Sequence, residues 1–388
     1  MKLHKWQKNA FPIWWKKKSG ILKVVTGGGK TFFALYCIKK YLEAYPKKNI
    51  LIVVPSIPLL DQWSIEIKNY FDHSVALNGG GFKLDKLEKI AITTLGSLKN
   101  IFNKINTANT LLIVDECHKL GTPSKGEMLF SKWDATMGLS ATPEREFDNF
   151  FKEIISPILG EIIFNYDYKR AYSDNVISKF HLLNAYAPLD DEESDERDEV
   201  SYKIAKRITY LGGMEKDDKV LKILFFQRAR IVNEARNRVP AAIKLMSGYN
   251  NKKWLVFCET KNQASIMCSL LNESGYRAEL YNTDISYKKR HTNMHLFRND
   301  MLDVLVTCKA LDEGFDLPNI DAVLIVSSST TSRQRIQRMG RALRKTNKDK
   351  DAVIITIYST SSEYDRLLKE SLDFETKKIK SKWVELKI

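Results

Sequence analysis

The chain has 388 residues, 44% of them hydrophobic and 28% charged, with a formal net charge of +15. That length predicts about two or three domains with cores of their own, and the excess of Lys and Arg favours a polyanionic partner, most commonly nucleic acid. No apolar run is long enough to cross a membrane, so no membrane span is indicated and no membrane partner is expected. The basic start MKLHKWQKNAFPIWWKKK lacks the apolar centre and cleavage site of a secretory signal. The five cysteines (Cys37, Cys117, Cys258, Cys268, Cys308) are scattered and form no CxxC pair. That supports neither a disulfide framework nor a zinc site, and the reducing cytoplasm is the expected compartment.

In chain order, the first strong signal is VVTGGGKT, Val24–Thr31, between the strand-like ILKVV and the helix-like FFALYCIKKYLEAY. Thr26, Gly27, Gly28 and Gly29 form a turn whose backbone N–H groups can face one anion, with a helix N-terminus behind them. Lys30 supplies a charge for β- and γ-phosphates and Thr31 a hydroxyl ligand for Mg²⁺, so the segment reads as a nucleotide phosphate cradle. One position departs from the general pattern, which begins with glycine: here it is Val24.

Short apolar runs follow: NILIVVP (Asn49–Pro55), KIAITT (Lys89–Thr94), TLLIVDE (Thr110–Glu116) and TMGLSAT (Thr136–Thr142). Their apolar character is continuous, as in parallel strands covered on both faces, which predicts an α/β domain over residues 1–170. Residues 171–248 are expected to be a charged helical linker. They hold an acidic run, Leu189–Glu199, then the basic stretches SYKIAKRITYL and KDDKVLKILFFQRARIVNEARNR. The acidic run reads as a solvated connector; the basic one is either that or a phosphate contact. A second series, KKWLVFCET, YRAELYN, DVLVTCK, DAVLIVSS and DAVIITIY, predicts another α/β domain over 249–388, ending in KKIKSKWVELKI as a peripheral helix or tail.

The chemistry concentrates at Asp115-Glu116-Cys117-His118, after the apolar run LLIV. A carboxylate at a strand's C-terminal end can reach a cation held at a phosphate loop, and Mg²⁺ takes one or two carboxylates with phosphate oxygens and water. Asp115 suits that ligand role beside Thr31; Glu116 suits orienting or deprotonating an attacking water. His118 suits relaying the state of the site. Further on, Gln337, Arg341 and Arg344 share one face of a helix, and a planar guanidinium can neutralise a transferring phosphoryl group. Gly340 argues against a merely solvated basic helix, which glycine would weaken. Pro55, Ser56, Thr93 and Thr94 sit just after strands, where small donors suit phosphate contacts and equally helix capping. Trp6, Trp14 and Trp15 read as packing residues.

The glycine loop, then Asp115–His118, then Ser140-Ala141-Thr142-Pro143 resembles a superfamily 2 helicase or translocase. Leu3-His4-Lys5-Trp6-Gln7 resembles the segment whose Gln reads adenine. VVPSIPLLDQW (Val53–Trp63) resembles motif Ia, Thr93-Thr94 motif Ib, Leu255–Thr260 motif IV, Val306–Pro318 motif V and Ser332–Arg344 motif VI. The wording LSATPER and EGFDLP is closer to the XPB-like, UvsW-like and restriction-helicase branch than to DEAD-box RNA helicases. The resemblance spans almost the whole chain. It implies two tandem RecA-like domains, parallel sheets with flanking helices, with ATP and Mg²⁺ in the cleft between them. It also implies Gln7 on adenine, Arg341 and Arg344 on the γ-phosphate with Gln337 beside them, and Gly314 and Asp316 near the nucleotide sugar. For Asp316 the other reading is a helix cap. Thr307, with Pro55, Ser56, Thr93 and Thr94, is implied on the nucleic-acid backbone, and His118, Ser140 and Thr142 in coupling. The expected activity is ATP-driven movement on DNA, branched DNA included. The alternatives are an ATP-dependent RNA helicase, a nucleic-acid-stimulated clamp or sensor that separates no strands, and a regulatory subunit with feeble ATPase activity.

Overall fold

The computed structural model describes residues 1–84, 88–120, 126–144, 149–215, 217–249, 251–282, 284–308, 320–327, 340, 351–374 and 381–386. They divide into two compact units, the first Met1–Ile177 and the second beginning at Ser178, each built on a seven-stranded sheet.

The first unit runs α1 (Lys5–Lys17), β1 (Ile21–Val24), α2 (Lys30–Ala44), β2 (Asn49–Val54), α3 (Ile57–Tyr70), β3 (Val75–Asn78), β4 (Ile90–Thr94), β5 (Thr110–Asp115), β6 (Ala135–Ser140), β7 (Ile162–Tyr166) and α4 (Tyr168–Ser173). Its strand order is β3-β4-β2-β5-β6-β1-β7, and every pair is parallel. The expected strands are here for the expected reason: β4, β5 and β6 are buried at every position, so both sheet faces are covered. Each fully buried Ile, Leu or Val of this sheet contributes about 1.5–3 kcal/mol. α3 begins with Pro in its first turn, where the missing N–H is harmless. It buries Leu59, Leu60, Trp63 and Ile67, a helical spacing, on one face. Parallel order brings the ends of β1, β5 and β6 to one edge of the sheet.

The second unit runs β8 (Phe180–Tyr186), α5 (Asp191–Tyr210), α6 (Lys219–Asn233), α7 (Arg238–Ser247), β9 (Trp254–Cys258), α8 (Lys261–Glu273), β10 (Ala278–Tyr281), α9 (Tyr287–Arg298), β11 (Val304–Cys308), β12 (Ala322–Ile325), β13 (Ala352–Tyr358), α10 (Ser361–Phe374) and β14 (Ser381–Glu385). Its order is β10-β11-β9-β12-β13-β8-β14, again all parallel. The doubly covered parallel sheets are those of the expected α/β class.

Two stretches differ from the sequence reading. The segment expected as a helical linker holds α5, α6 and α7, but it also contains β8, which pairs with β13 from Phe180↔Ala352 to Tyr186↔Tyr358. FHLLNAY is buried at all but His181 and Tyr186, and belongs inside a sheet. The basic C-terminal stretch is neither helix nor tail where it is described. Ser381–Glu385 adds β14 to the free edge of β8, and Trp383 packs against Tyr364 and Tyr358, with ring centroids 4.7 and 5.7 Å apart. The aromatic contacts outweigh the flanking lysines.

Candidate functional site

At the C-terminal edge of the first sheet, the chain leaves β1 at Val24 and turns through Gly27–Gly29 into α2. Gly27 and Gly29 have φ of 80° and 86°, the left-handed region that glycine enters without a side-chain penalty. A Cβ on Gly28 would lie 2.9 Å from Val24 Cγ1 and 3.0 Å from Val25 O. Val24, the departure from the usual pattern, is therefore a wall of the tight turn. α1 braces the loop from outside: Trp6 Nε1 donates to Gly28 O and Gln7 Nε2 to Gly29 O, each at 3.0 Å. The Trp6 ring stacks on Tyr166 at 5.2 Å and packs on Phe33 at 5.4 Å. Tyr168, buried in α4, hydrogen-bonds Thr26; burial nevertheless raises its phenol. Lys30 and Thr31 open α2. Lys30 Nζ donates to Val24 O at 3.2 Å and lies 3.7 Å from Glu116 Oε1.

Asp115 ends β5 and is buried. Its Oδ2 accepts from Trp63 Nε1 and its Oδ1 from Glu116 N, both at 2.9 Å. Burial, then the charge of Glu116, push the Asp115 carboxyl up to about 6, against the opposing pull of Lys30 and Trp63. Glu116 has φ of 47°. A non-glycine residue there carries strain of order 1–3 kcal/mol, typical of functional sites. Its carboxylate lies 3.7 Å from Lys30 Nζ and 3.4 Å from His118 Nδ1. The buried His118 Nδ1 is 3.1 Å from Ser140 Oγ, which accepts from Thr142 N at 3.1 Å. A continuous polar path thus joins the ends of β1, β5 and β6. Cys117 is buried, and its thiol is raised by burial and both carboxylates, so it takes no part as a nucleophile.

The residues fit a phosphate-bound cation. Two adjacent carboxylates face a single lysine, and a divalent ion would offset the repulsion that raises Asp115. Among the described residues no three His, Cys, Asp or Glu side chains gather into a metal site. Asp115 and Thr31 would therefore share such an ion with ligand oxygens and water, as Mg²⁺ prefers.

The remaining expected residues are placed less simply. Pro55 and Ser56 follow β2, and Ser56 caps α3 through its backbone position while its buried hydroxyl lacks a partner among the described residues. Thr93 and Thr94 end β4 with their hydroxyls engaged: Asn78 Nδ2 donates to Thr93 Oγ1, and Thr94 Oγ1 donates to Ser97 Oγ, both at 3.0 Å. Thr307 is fully buried and donates to Tyr281 O at 2.9 Å. Gly314, Asp316, Gln337, Arg341 and Arg344 lie outside the described residues.

Residues 1–145 match the family model "Type III restriction enzyme, res subunit", and residues 237–346 match "Helicase conserved C-terminal domain". Over 387 residues the chain is 28% identical to the DNA 3'-5' translocase XPB2 of Sulfurisphaera tokodaii, covering 95% of this chain and 84% of that protein. It is 26% identical to putative helicase 22 of a Sulfolobus islandicus filamentous virus, covering 91% of this chain but only 62% of that one. In fold it resembles a putative HsdR subunit of a type I restriction enzyme from Vibrio vulnificus, with a TM-score of 0.66 at 17% identity, covering 98% of this chain and 68% of that one. The chain belongs to the superfamily 2 helicases, in the XPB-like and restriction-helicase branch. It is an enzyme of the nucleic-acid-dependent ATPase kind, with the tandem RecA-like fold. No helix among the described residues is long and apolar enough to cross a membrane.

For this helicase, sequence reasoning missed two tryptophan roles. Trp63 was visible only as the last residue of VVPSIPLLDQW, and Trp6 only as a packing residue. A buried indole N–H usually finds an acceptor, and a helix following β2 lies over the end of β5. That combination was the available signal for Trp63 on Asp115. Tyr168 gave no signal, since its partner Thr26 is distant in sequence.

Proposed function

We propose that this superfamily 2 helicase couples ATP hydrolysis, with Mg²⁺, to movement along DNA or remodelling of it, branched DNA included. The observation that carries the reading is the unbroken path from Lys30 through Glu116, His118 and Ser140 to Thr142. It links a phosphate loop and a candidate base to the strand end of β6. DNA is favoured over RNA by the similarity to a protein named a DNA translocase and by the restriction-enzyme family match.

In this reading the N–H groups of Gly27–Gly29 and the Lys30 ammonium hold the β- and γ-phosphates. Asp115 and Thr31 would hold Mg²⁺, which supplies charge neutralisation at the phosphates. Glu116 orients the attacking water and accepts its proton, with the Lys30 ammonium 3.7 Å from its carboxylate. Trp63 fixes the rotamer of Asp115. Gln7 reaches adenine by exchanging its bond to Gly29 O or to His4 N. Arg341 and Arg344, with Gln337, act on the γ-phosphate, and such guanidinium groups are worth about 10³–10⁵ in rate. Gly314 and Asp316 are read at the sugar, and Pro55, Ser56, Thr93 and Thr94 along the strand backbone; the buried Thr307, bonded to Tyr281 O, could join them only after a local opening of that end of β11.

The test is ATP turnover with single-stranded DNA, duplex DNA, forked DNA and RNA, followed by strand displacement on the best substrate. Stimulation by DNA, greatest on the fork, is expected. Stimulation by RNA alone would overturn the DNA assignment, and stimulation without displacement or translocation would make the protein a clamp.

A further inference from the structure

Gln7, the residue expected on adenine, is fully buried beside the phosphate loop. Both ends of its amide are engaged. Oε1 accepts from His4 N at 2.8 Å, and Nε2 donates to Gly29 O at 3.0 Å. The approach to the loop is close: a Cβ on Gly29 would lie 3.1 Å from Nε2.

Each bond has a local purpose. His4 is the N-cap of α1 and Gln7 its third helical residue, so Oε1 reaches back to a backbone N–H that the helix start leaves without a partner. The spacing that resembles an adenine reader is therefore also that of a helix cap. At the other end, Gly29 is the N-cap of α2, and its carbonyl also accepts from Phe33 N at 3.1 Å. A planar trans peptide points its C=O and N–H in opposite directions. Trp6 on Gly28 O and Gln7 on Gly29 O thus turn the N–H groups of Gly29 and Lys30 away from the two side chains, as donors for a phosphate.

These bonds bear on which base the site selects. Adenine shows an amide one donor, N6–H, and one acceptor, N7, whereas guanine shows two acceptors, N7 and O6. A site rejects the wrong partner by about 10⁴–10⁵ when that partner leaves buried polar groups unpaired. Guanine leaves none here, because Gln7 keeps His4 N and Gly29 O. Reading adenine makes Gln7 exchange two bonds for two. The advantage of adenine is then no more than one net hydrogen bond, about tenfold.

We infer that Gln7 is a positioning residue for the triphosphate rather than a selector of the base, and that the enzyme takes purine nucleoside triphosphates with adenine and guanine nearly alike. This rests on reading Gly27–Lys30 as the cradle of the phosphates.

The test gives the full chain, with Mg²⁺ and DNA, ATP, GTP or ITP, whose base carries O6 and N7 without the 2-amino group of guanine. Phosphate release yields kcat and KM, and anisotropy of the N-methylanthraniloyl forms of ATP and GTP yields affinity. Both kcat/KM and affinity are expected to agree within about tenfold across the bases. A preference for ATP of about a hundredfold or more would overturn the inference. Gln7→Ala is expected to raise KM about tenfold for all three and leave their ratios as in the wild type. A variant that loses activity on ATP alone would make Gln7 the base reader and overturn the inference too. If Gln7→Ala loses its far-ultraviolet circular dichroism, the wild-type ratios decide alone. Failure of the two layers is separable. Hydrolysis of none of the three, or full turnover by Lys30→Ala, sinks the phosphate cradle, whereas hydrolysis of ATP beside inert GTP and ITP sinks only the inference on Gln7.

Discussion

Replacing Asp115 by Asn should stabilise the nucleotide-free protein while abolishing its turnover. The carboxyl rises from its ordinary 3.8 to about 6, chiefly through burial and then the neighbouring charge of Glu116. At neutral pH the native state thus holds an anion at a cost of about 3 kcal/mol relative to the unfolded chain. Asn removes the anion at nearly equal volume. Its single oxygen can accept from Trp63 Nε1 or from Glu116 N but not from both, which returns about 1 kcal/mol. The net gain is about 2 kcal/mol, or roughly 4–8 °C in Tm for a unit of this size. The sign with pH follows from the raised carboxyl. Below about pH 4 both states are protonated and the wild type carries no penalty. The penalty grows as pH rises towards 6 and is complete above it, so the advantage of Asn should appear over that window and then level off. Urea and thermal unfolding of both proteins at pH 4, 5, 6 and 8, taken as set points about the window, read this directly. A variant less stable than wild type at pH 8, or a difference that ignores pH, would refute the account of a strained, desolvated Asp115.

Two other changes probe the same edge of the sheet. Lys30→Ala should abolish nucleic-acid-stimulated hydrolysis, and Glu116→Gln should retain ATP while turnover falls by about 10²–10⁴; filter binding beside a phosphate-release assay separates the two, and normal turnover by either contradicts the site. Trp6→Phe keeps the stack on Tyr166 but leaves the Gly28 carbonyl without its N–H donor. It should lower unfolding free energy by about 1–3 kcal/mol and raise the KM for ATP more than it changes kcat, and an unaltered KM would mean that the brace from α1 does not shape the loop.

The central strands were legible because burial on both faces leaves its mark on composition. TLLIVD became β5 and IAITT became β4, buried throughout. The edges were not. β3, β7, β8 and β14 are short or mixed in character, and their pairing depends on neighbours far away in sequence: β8 joins β13 and β14 across most of the second unit. A basic stretch such as KSKWVE carries no local instruction to be a strand. Only the exposed edge of β8 and the rings of Tyr358 and Tyr364 give Trp383 somewhere to go.

The site divides along the same line. Residues whose backbone does the work could be read from sequence, because Gly27 and Gly29 need left-handed φ values and only glycine adopts them freely. The carboxylates could be read too, since a strand's end fixes where Asp115 and Glu116 stand. What sequence could not supply is which donors these groups spend their hydrogen bonds on. Thr93 and Thr94 read as donors for phosphate contacts or helix caps, and the sequence does not say that Asn78 from the neighbouring β3 and Ser97 hydrogen-bond their hydroxyls. Trp63 stood only at the end of a motif run, yet its N–H donates to the buried Asp115. His118 and Ser140 stand apart in sequence, and only the parallel pairing of β5 with β6 brings imidazole and hydroxyl within 3.1 Å. Register within the sheet, rather than the motif alone, brings Glu116, His118, Ser140 and Thr142 into one continuous polar row.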